Sequence, residues 1–125
     1  MSVIKRYTDL VAWQKAMDLV QEVYQITKSF SREELYSLTS QVRRSAVSIP
    51  SNIAEGHCRN GRREFAHHLS IALGSLGETE TQMLIAHRLE YLTAEALARF
   101  EDLASETGRL LVGLTHSLER HAAAS

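Results

Sequence analysis

The chain has one cysteine, one proline and three phenylalanines in 125 residues, and each scarcity narrows what it can be. Cys58 cannot close an internal disulfide. A single proline, Pro50, with only six glycines among abundant Leu, Ala, Glu and Arg, gives a helical bias, and no run alternates apolar with polar residues as a half-exposed strand does. No apolar run approaches the ~20 residues of a membrane span. The first ten residues, MSVIKRYTDL, hold no apolar stretch before a cleavage site, so a cytoplasmic location is expected. A phosphate-binding glycine loop, a GxSxG elbow and an HExxH pair are also missing.

What remains is an apolar fraction of 44%, enough for one core in one domain spanning 1–125. The net charge is −1, but it is unevenly spread. Residues 1–63 hold ten Lys or Arg against six acids, and residues 64–125 hold four against nine. Such a chain can present a basic face at neutral overall charge.

Helical periodicity predicts four helices. The first begins near Asp9 as N-cap and ends near Lys28, with two adjacent apolar rows: Leu10, Trp13, Met17, Val20 and Tyr24, then Ala16, Leu19, Val23, Ile26 and Phe30. A face that wide calls for cover on more than one side. The second runs from about Glu33 through Pro50, where a kink is expected because proline lacks the N–H that would bond Ala46. The third spans 62–90, with Gly61 at its start, and the fourth follows Thr93 as N-cap. Gly74 and Gly77, poor helix formers inside the third, predict the close approach of another backbone. Four helices with short connections make an antiparallel up-down-up-down four-helix bundle the simplest all-α arrangement.

The second helix carries two stripes. Leu35, Leu38, Val42, Ala46, Ile49 and Ile53 form the apolar one. About 100° around lie Gln41, Ser45, Ser48, Asn52 and Glu55, short or hydrogen-bonding residues where a solvated face more often shows Lys and Glu. This stripe reads either as solvated surface or as a second packed face against another subunit or a ligand. Trp13 on the first helix is a further interface candidate.

Chemistry is sparse. Glu64 and His67 form one Glu-x-x-His pair, but a di-iron carboxylate bundle needs two such pairs and two further glutamates, so neither a metal nor another cofactor is expected. His57 beside Cys58 lacks a third orienting group for catalysis. A non-enzymatic protein is the expectation. The basic residues carry more information: Arg59, Arg62 and Arg63 surround the turn before the third helix, two of them where the helix dipole disfavours cations, and Arg43 and Arg44 form a second pair. Guanidinium forks beside free helical N–H groups suit phosphate, hence RNA or another polyanion.

Three segments carry a resemblance. Leu10–Val20 (LVAWQKAMDLV), LTSQVRRSAVSIPSNIAEG from Leu38, and EFAHHLSIALGSLGETETQ from Glu64 resemble the helical family described as 23S ribosomal RNA intervening-sequence proteins, over about residues 7–92. The fourth helix matches in length and pattern alone. The resemblance implies a homopentamer around a central channel, and kinship with accessory proteins of diversity-generating retroelements that hold a reverse transcriptase and RNA on a basic surface. Phe30-Ser31, Tyr36-Ser37-Leu38, Gly77 and Glu90 depart from the family's commoner residues at those places. The expected function is therefore a homo-oligomeric scaffold binding RNA or a ribonucleoprotein, with a protein-binding adaptor using apolar helix faces as the alternative.

Overall fold

Residues 6–124 are described by the computed structural model, with side chains through 120. Four α-helices follow in order: α1 (Val11–Thr27), α2 (Leu38–Cys58), α3 (Arg62–Arg88) and α4 (Ala94–Ala124), with single 3-10 turns at Tyr7–Asp9 and Arg32–Glu34. Among the described residues there is no strand. Each helix packs on the next and α1 also packs on α4, with the α2–α3 contact the most extensive.

The helix starts show how local chemistry sets boundaries. Asp9, expected as the cap of α1, lies in the preceding 3-10 turn, where its Oδ2 accepts the Arg6 backbone N–H at 3.3 Å. Leu10 takes the cap position with no side-chain bond. Thr93 does cap α4, its Oγ1 accepting from the Ala96 N–H at 3.1 Å. Gly61 precedes α3 at φ 98°, a backbone conformation in which a Cβ is strained. The start expected near Glu33 splits into the 3-10 turn and α2, and α2 runs unbroken through buried Pro50.

The core is built from one row of each helix. Leu19 and Val23 of α1, Val42, Ile49 and Ile53 of α2, Leu69 and Met83 of α3, and Phe100 and Leu111 of α4 are fully buried. The two apolar rows of α1 part company: the Ala16–Leu19–Val23–Ile26 row is core, whereas Trp13 and Val20 are half-buried and Met17 and Tyr24 exposed. Lys15 to Glu106 at 3.7 Å and Arg99 to Glu22 at 3.4 Å bridge α1 and α4. Such surface pairs add little stability.

Glu90 closes α3 with a non-glycine residue at φ 65°. The Tyr91 N–H reaches the Ala86 carbonyl and the Glu90 N–H that of His87, both at 3.0 Å, the bond pattern of a helix end whose left-handed residue is ordinarily glycine. An L side chain there costs about 1 kcal/mol. Glu90→Gly should raise the melting temperature by about 4 °C, read by thermal circular dichroism; an unchanged or lower value contradicts the strain.

Across the α3–α4 seam, burial first and the Glu101 charge second hold the Glu80 carboxyl above the ordinary carboxylate range. Glu101 Oε1 is buried without a hydrogen-bond partner among the described residues. A carboxyl whose folded pKa is raised binds more protons folded than unfolded. Its stabilising contribution is complete below the unfolded pKa and disappears as pH rises through the folded one. Glu80→Gln should therefore raise stability at pH 7 and flatten the stability decline from pH 4.5 upward, measured by urea unfolding at several pH values. A loss of stability at pH 7 would show that the charge is needed.

Candidate functional site

The polar stripe of α2 is packed, and what it packs against is α3 of the same chain. Ser45 is buried, with its Oγ 2.8 Å from Thr79 Oγ1 and 2.9 Å from Gln82 Oε1. Ser48 Oγ lies 2.8 Å from Ser75 Oγ. Asn52 donates from Nδ2 to the Ser48 carbonyl at 2.9 Å and to its Oγ at 3.0 Å, while its Oδ1 sits 3.1 Å from Nδ1 of buried His68. Glu55 Oε1 accepts from Arg59 Nη2 at 2.9 Å, and its Oε2 lies 4.0 Å from His68 Nδ1. That ion pair, ahead of the His68 contribution, holds the Glu55 carboxyl below its ordinary range. Gln41, at the start of the stripe, is exposed.

Composition alone leaves this seam undecided, yet α3 contains the signal that identifies the partner. His68, Ser75, Thr79 and Gln82 recur at helical steps and make a polar stripe matching that of α2. Facing polar rows satisfy one another, which removes the desolvation cost that either would incur alone.

The five arginines do not form one patch. Arg44 and Arg59 are fifteen residues apart on or beside one continuous helix, about 22 Å along its axis. At the α2–α3 turn, Arg59 is occupied by Glu55, and Arg62 and Arg63 are exposed in the first turn of α3. His57 there packs edge-on against the Phe65 ring, centroids 5.6 Å apart, and Cys58 is exposed.

Along α2, Arg43 faces α1. Its Nε donates to Thr27 Oγ1 at 2.8 Å and its Cζ lies 4.7 Å from the centre of the Tyr24 ring. Arg44, one residue on, is exposed. Arg44 and Arg63 make no hydrogen bond or ion pair among the described residues. Arg43, Arg44, Tyr24 and Tyr36 line an open cleft of about 520 Å³. Trp13 lies in a neighbouring apolar cleft with Met17, Val47 and Pro50, its ring edge-on to Tyr7 at 5.6 Å.

The glycines of α3 differ from expectation. An added Cβ at Gly74 or Gly77 would meet nothing within 4 Å, and the same holds at Gly113 of α4. Within the described residues no backbone approaches them. Gly77, Gly108 and Gly113 instead border an open groove between α3 and α4, with Val112 and Leu73. Among the described residues, no group of three or more His, Cys, Asp or Glu could hold a metal ion, and no helix is long and apolar enough to cross a membrane.

Fold and surface thus define an all-helical protein with a polar internal seam and arginines displayed at two separate places. The chain belongs to the family of 23S rRNA-intervening sequence proteins, whose family model matches residues 8–113. That match reaches well into α4. The chain is also similar to a crystal structure from Bacteroides thetaiotaomicron, a protein of unknown function from the S23 ribosomal protein family, at 27% identity and a TM-score of 0.78 over 85% of this chain and 96% of that one. None of the curated proteins compared with the chain matches it.

Proposed function

We propose that this protein is a non-enzymatic, cytoplasmic, homo-oligomeric scaffold that holds RNA or a ribonucleoprotein on its arginine-bearing surface. The observation that carries the reading is the pair Arg44 and Arg63, exposed guanidiniums that make no hydrogen bond or ion pair among the described residues, in a chain that neutralises Arg59 and Arg99 with its own glutamates. A family named for an rRNA intervening sequence supports RNA as the polyanion. Cation placement without a structural return is explained by an external anion.

The internal order is an antiparallel up-down-up-down bundle. Supporting it, partners on α3 fall in number as those on α2 rise, from Ser45 with Gln82 to Asn52 with His68. Self-association draws on the open groove bordered by Gly77 and Gly113 and on the exposed Leu84 and Ile85 of α3 and Leu89 at its C-terminal cap. Five copies is the number the family resemblance implies. Gly77→Ala should raise subunit stability, since Ala is the better helix former by about 1 kcal/mol, while lowering the mass measured by light scattering on a sizing column. A monomeric wild type at micromolar concentration removes the assembly.

RNA retention is tested by the salt dependence of binding. Log affinity should fall linearly with log salt, and Arg44→Glu with Arg63→Glu should abolish binding without lowering the melting temperature. Exposed Val11 and Met17 on α1 favour a second reading, an adaptor that docks a protein through that face. Partner binding insensitive to salt, with no RNA retained, would replace the first reading with the second.

A further inference from the structure

We propose that the cleft between the end of α1 and the start of α2 is a nucleotide subsite for single-stranded RNA, with the Tyr36 ring stacking on a base and the Arg44 guanidinium taking the adjacent phosphate. This rests on the RNA reading above and deepens it at Arg44.

Tyr36 is 93% exposed, an aromatic ring that folding leaves almost wholly in water. It stands in the short segment between the 3-10 turn and α2 and lines the same 520 Å³ cleft as Tyr24, Ser40, Arg43 and Arg44. That volume is in the range of small-ligand clefts. Tyr24, 41% exposed, offers its ring to Arg43 at 4.7 Å, and Thr27 accepts from Arg43 Nε at 2.8 Å. Folding has therefore already fixed the Arg43 rotamer, while its Nη donors stay unbonded among the described residues. A fixed guanidinium beside an exposed one that makes no internal bond, Arg44, with an open aromatic face at the edge, is the combination that tracks a phosphate backbone and stacks its bases.

The nearby acids do not fill the cleft. Glu34 is held by the Ser37 hydroxyl, with the Tyr91 hydroxyl donating at 2.9 Å to its other oxygen, so its charge is turned toward the α3–α4 connection. Glu33 remains exposed on the 3-10 turn. Single strands are favoured over duplex because a stacking ring needs a base face that pairing and stacking conceal. At the other arginine group the aromatics are engaged, His57 with Phe65, leaving phosphate contact without a stacking platform.

The test uses the full-length protein, a fluorescein-labelled decauridylate and a ten-base-pair RNA duplex, with fluorescence anisotropy at two salt concentrations and light scattering alongside. The wild type should prefer the single strand. Tyr36→Ala, at a position with almost no packing to lose, should weaken decauridylate binding roughly five- to hundredfold with little effect on the duplex, and Tyr36→Trp should restore it. Arg44→Ala should weaken both and reduce the salt slope by about one. If the wild type binds neither RNA in a salt-sensitive way, the RNA reading and this subsite both fall. If it binds but Tyr36→Ala is silent while Arg63→Glu abolishes binding, the RNA reading stands and the subsite is wrong. A Tyr36→Ala change in oligomer mass with unchanged RNA affinity makes the cleft a contact between copies, which also overturns the subsite.

Discussion

Gly56→Ala is expected to lower the melting temperature by roughly 10 °C. A Cβ at that position would lie 2.6 Å from the His68 Cβ and 3.1 Å from the Phe65 Cδ1. The first contact is more than about 1 Å inside the van der Waals optimum, and the His68 Cβ is carried by the α3 backbone, so no rotamer change relieves it. The helices have to separate, and the Asn52–His68 bond one turn away lengthens with them. Overpacking costs about 1–3 kcal/mol and occasionally more, against which the better helix propensity of alanine returns about 1. We expect a net loss of about 2–3 kcal/mol. Gly74→Ala, where the added carbon meets nothing within 4 Å, is the control and should not destabilise the subunit. Equal melting temperatures for Gly56→Ala and the wild type would mean that α2 and α3 are not held this close.

That contrast marks how far the sequence can be read. Periodicity exposes which face of each helix is apolar, so the Val42–Ala46–Ile49–Ile53 row and the Leu69–Ala72–Leu76 row were legible and are buried. It says nothing of distance between helices. Weak helix propensity predicts a close approach at Gly74 and Gly77, yet both border open space, whereas Gly56, near the C-terminal end of α2, sits against α3. Glycine content is a local property, and close approach belongs to two elements at once. The same limit applies to the polar stripe: its presence on α2 was visible, but its partner was found only with α3 placed beside it.

Arginine positions divide along similar lines. Their unfavourable placement at the α3 start follows from the dipole and is readable from sequence. That Arg59 spends its charge on Glu55, four residues earlier, is also readable in principle, as an i,i+4 pair. Engagement of Arg43 with Tyr24 and Thr27 is not, because those partners lie sixteen and more residues away on another helix. Of the five arginines singled out from the sequence, Arg44 and Arg63 are exposed and make no hydrogen bond or ion pair among the described residues.

Asn52→Leu should cost roughly 1–3 kcal/mol, and it tests whether the α2–α3 seam is a hydrogen-bonded unit or a polar surface that merely lies between helices. Leucine is close in size and a better helix former, so shape and propensity do not predict a loss. What it removes is the Oδ1 acceptor 3.1 Å from His68 Nδ1 and the Nδ2 donor to Ser48. His68 is only 8% exposed, so water cannot easily replace the missing acceptor, and the remaining anion, Glu55 Oε2, stands 4.0 Å away and already serves Arg59 through its other oxygen. The unpaired ring nitrogen then carries its full desolvation cost. His68→Leu in the same chain should recover part of the loss, since two apolar groups facing each other leave nothing unsatisfied. Ser51→Ala, exposed one residue away, should change stability by less than about 0.5 kcal/mol. Urea unfolding of the two single variants and the double variant gives the coupling energy directly; additive effects, with Asn52→Leu no worse than Ser51→Ala, would mean that the seam contributes no specific bond and that apolar burial alone holds α2 to α3.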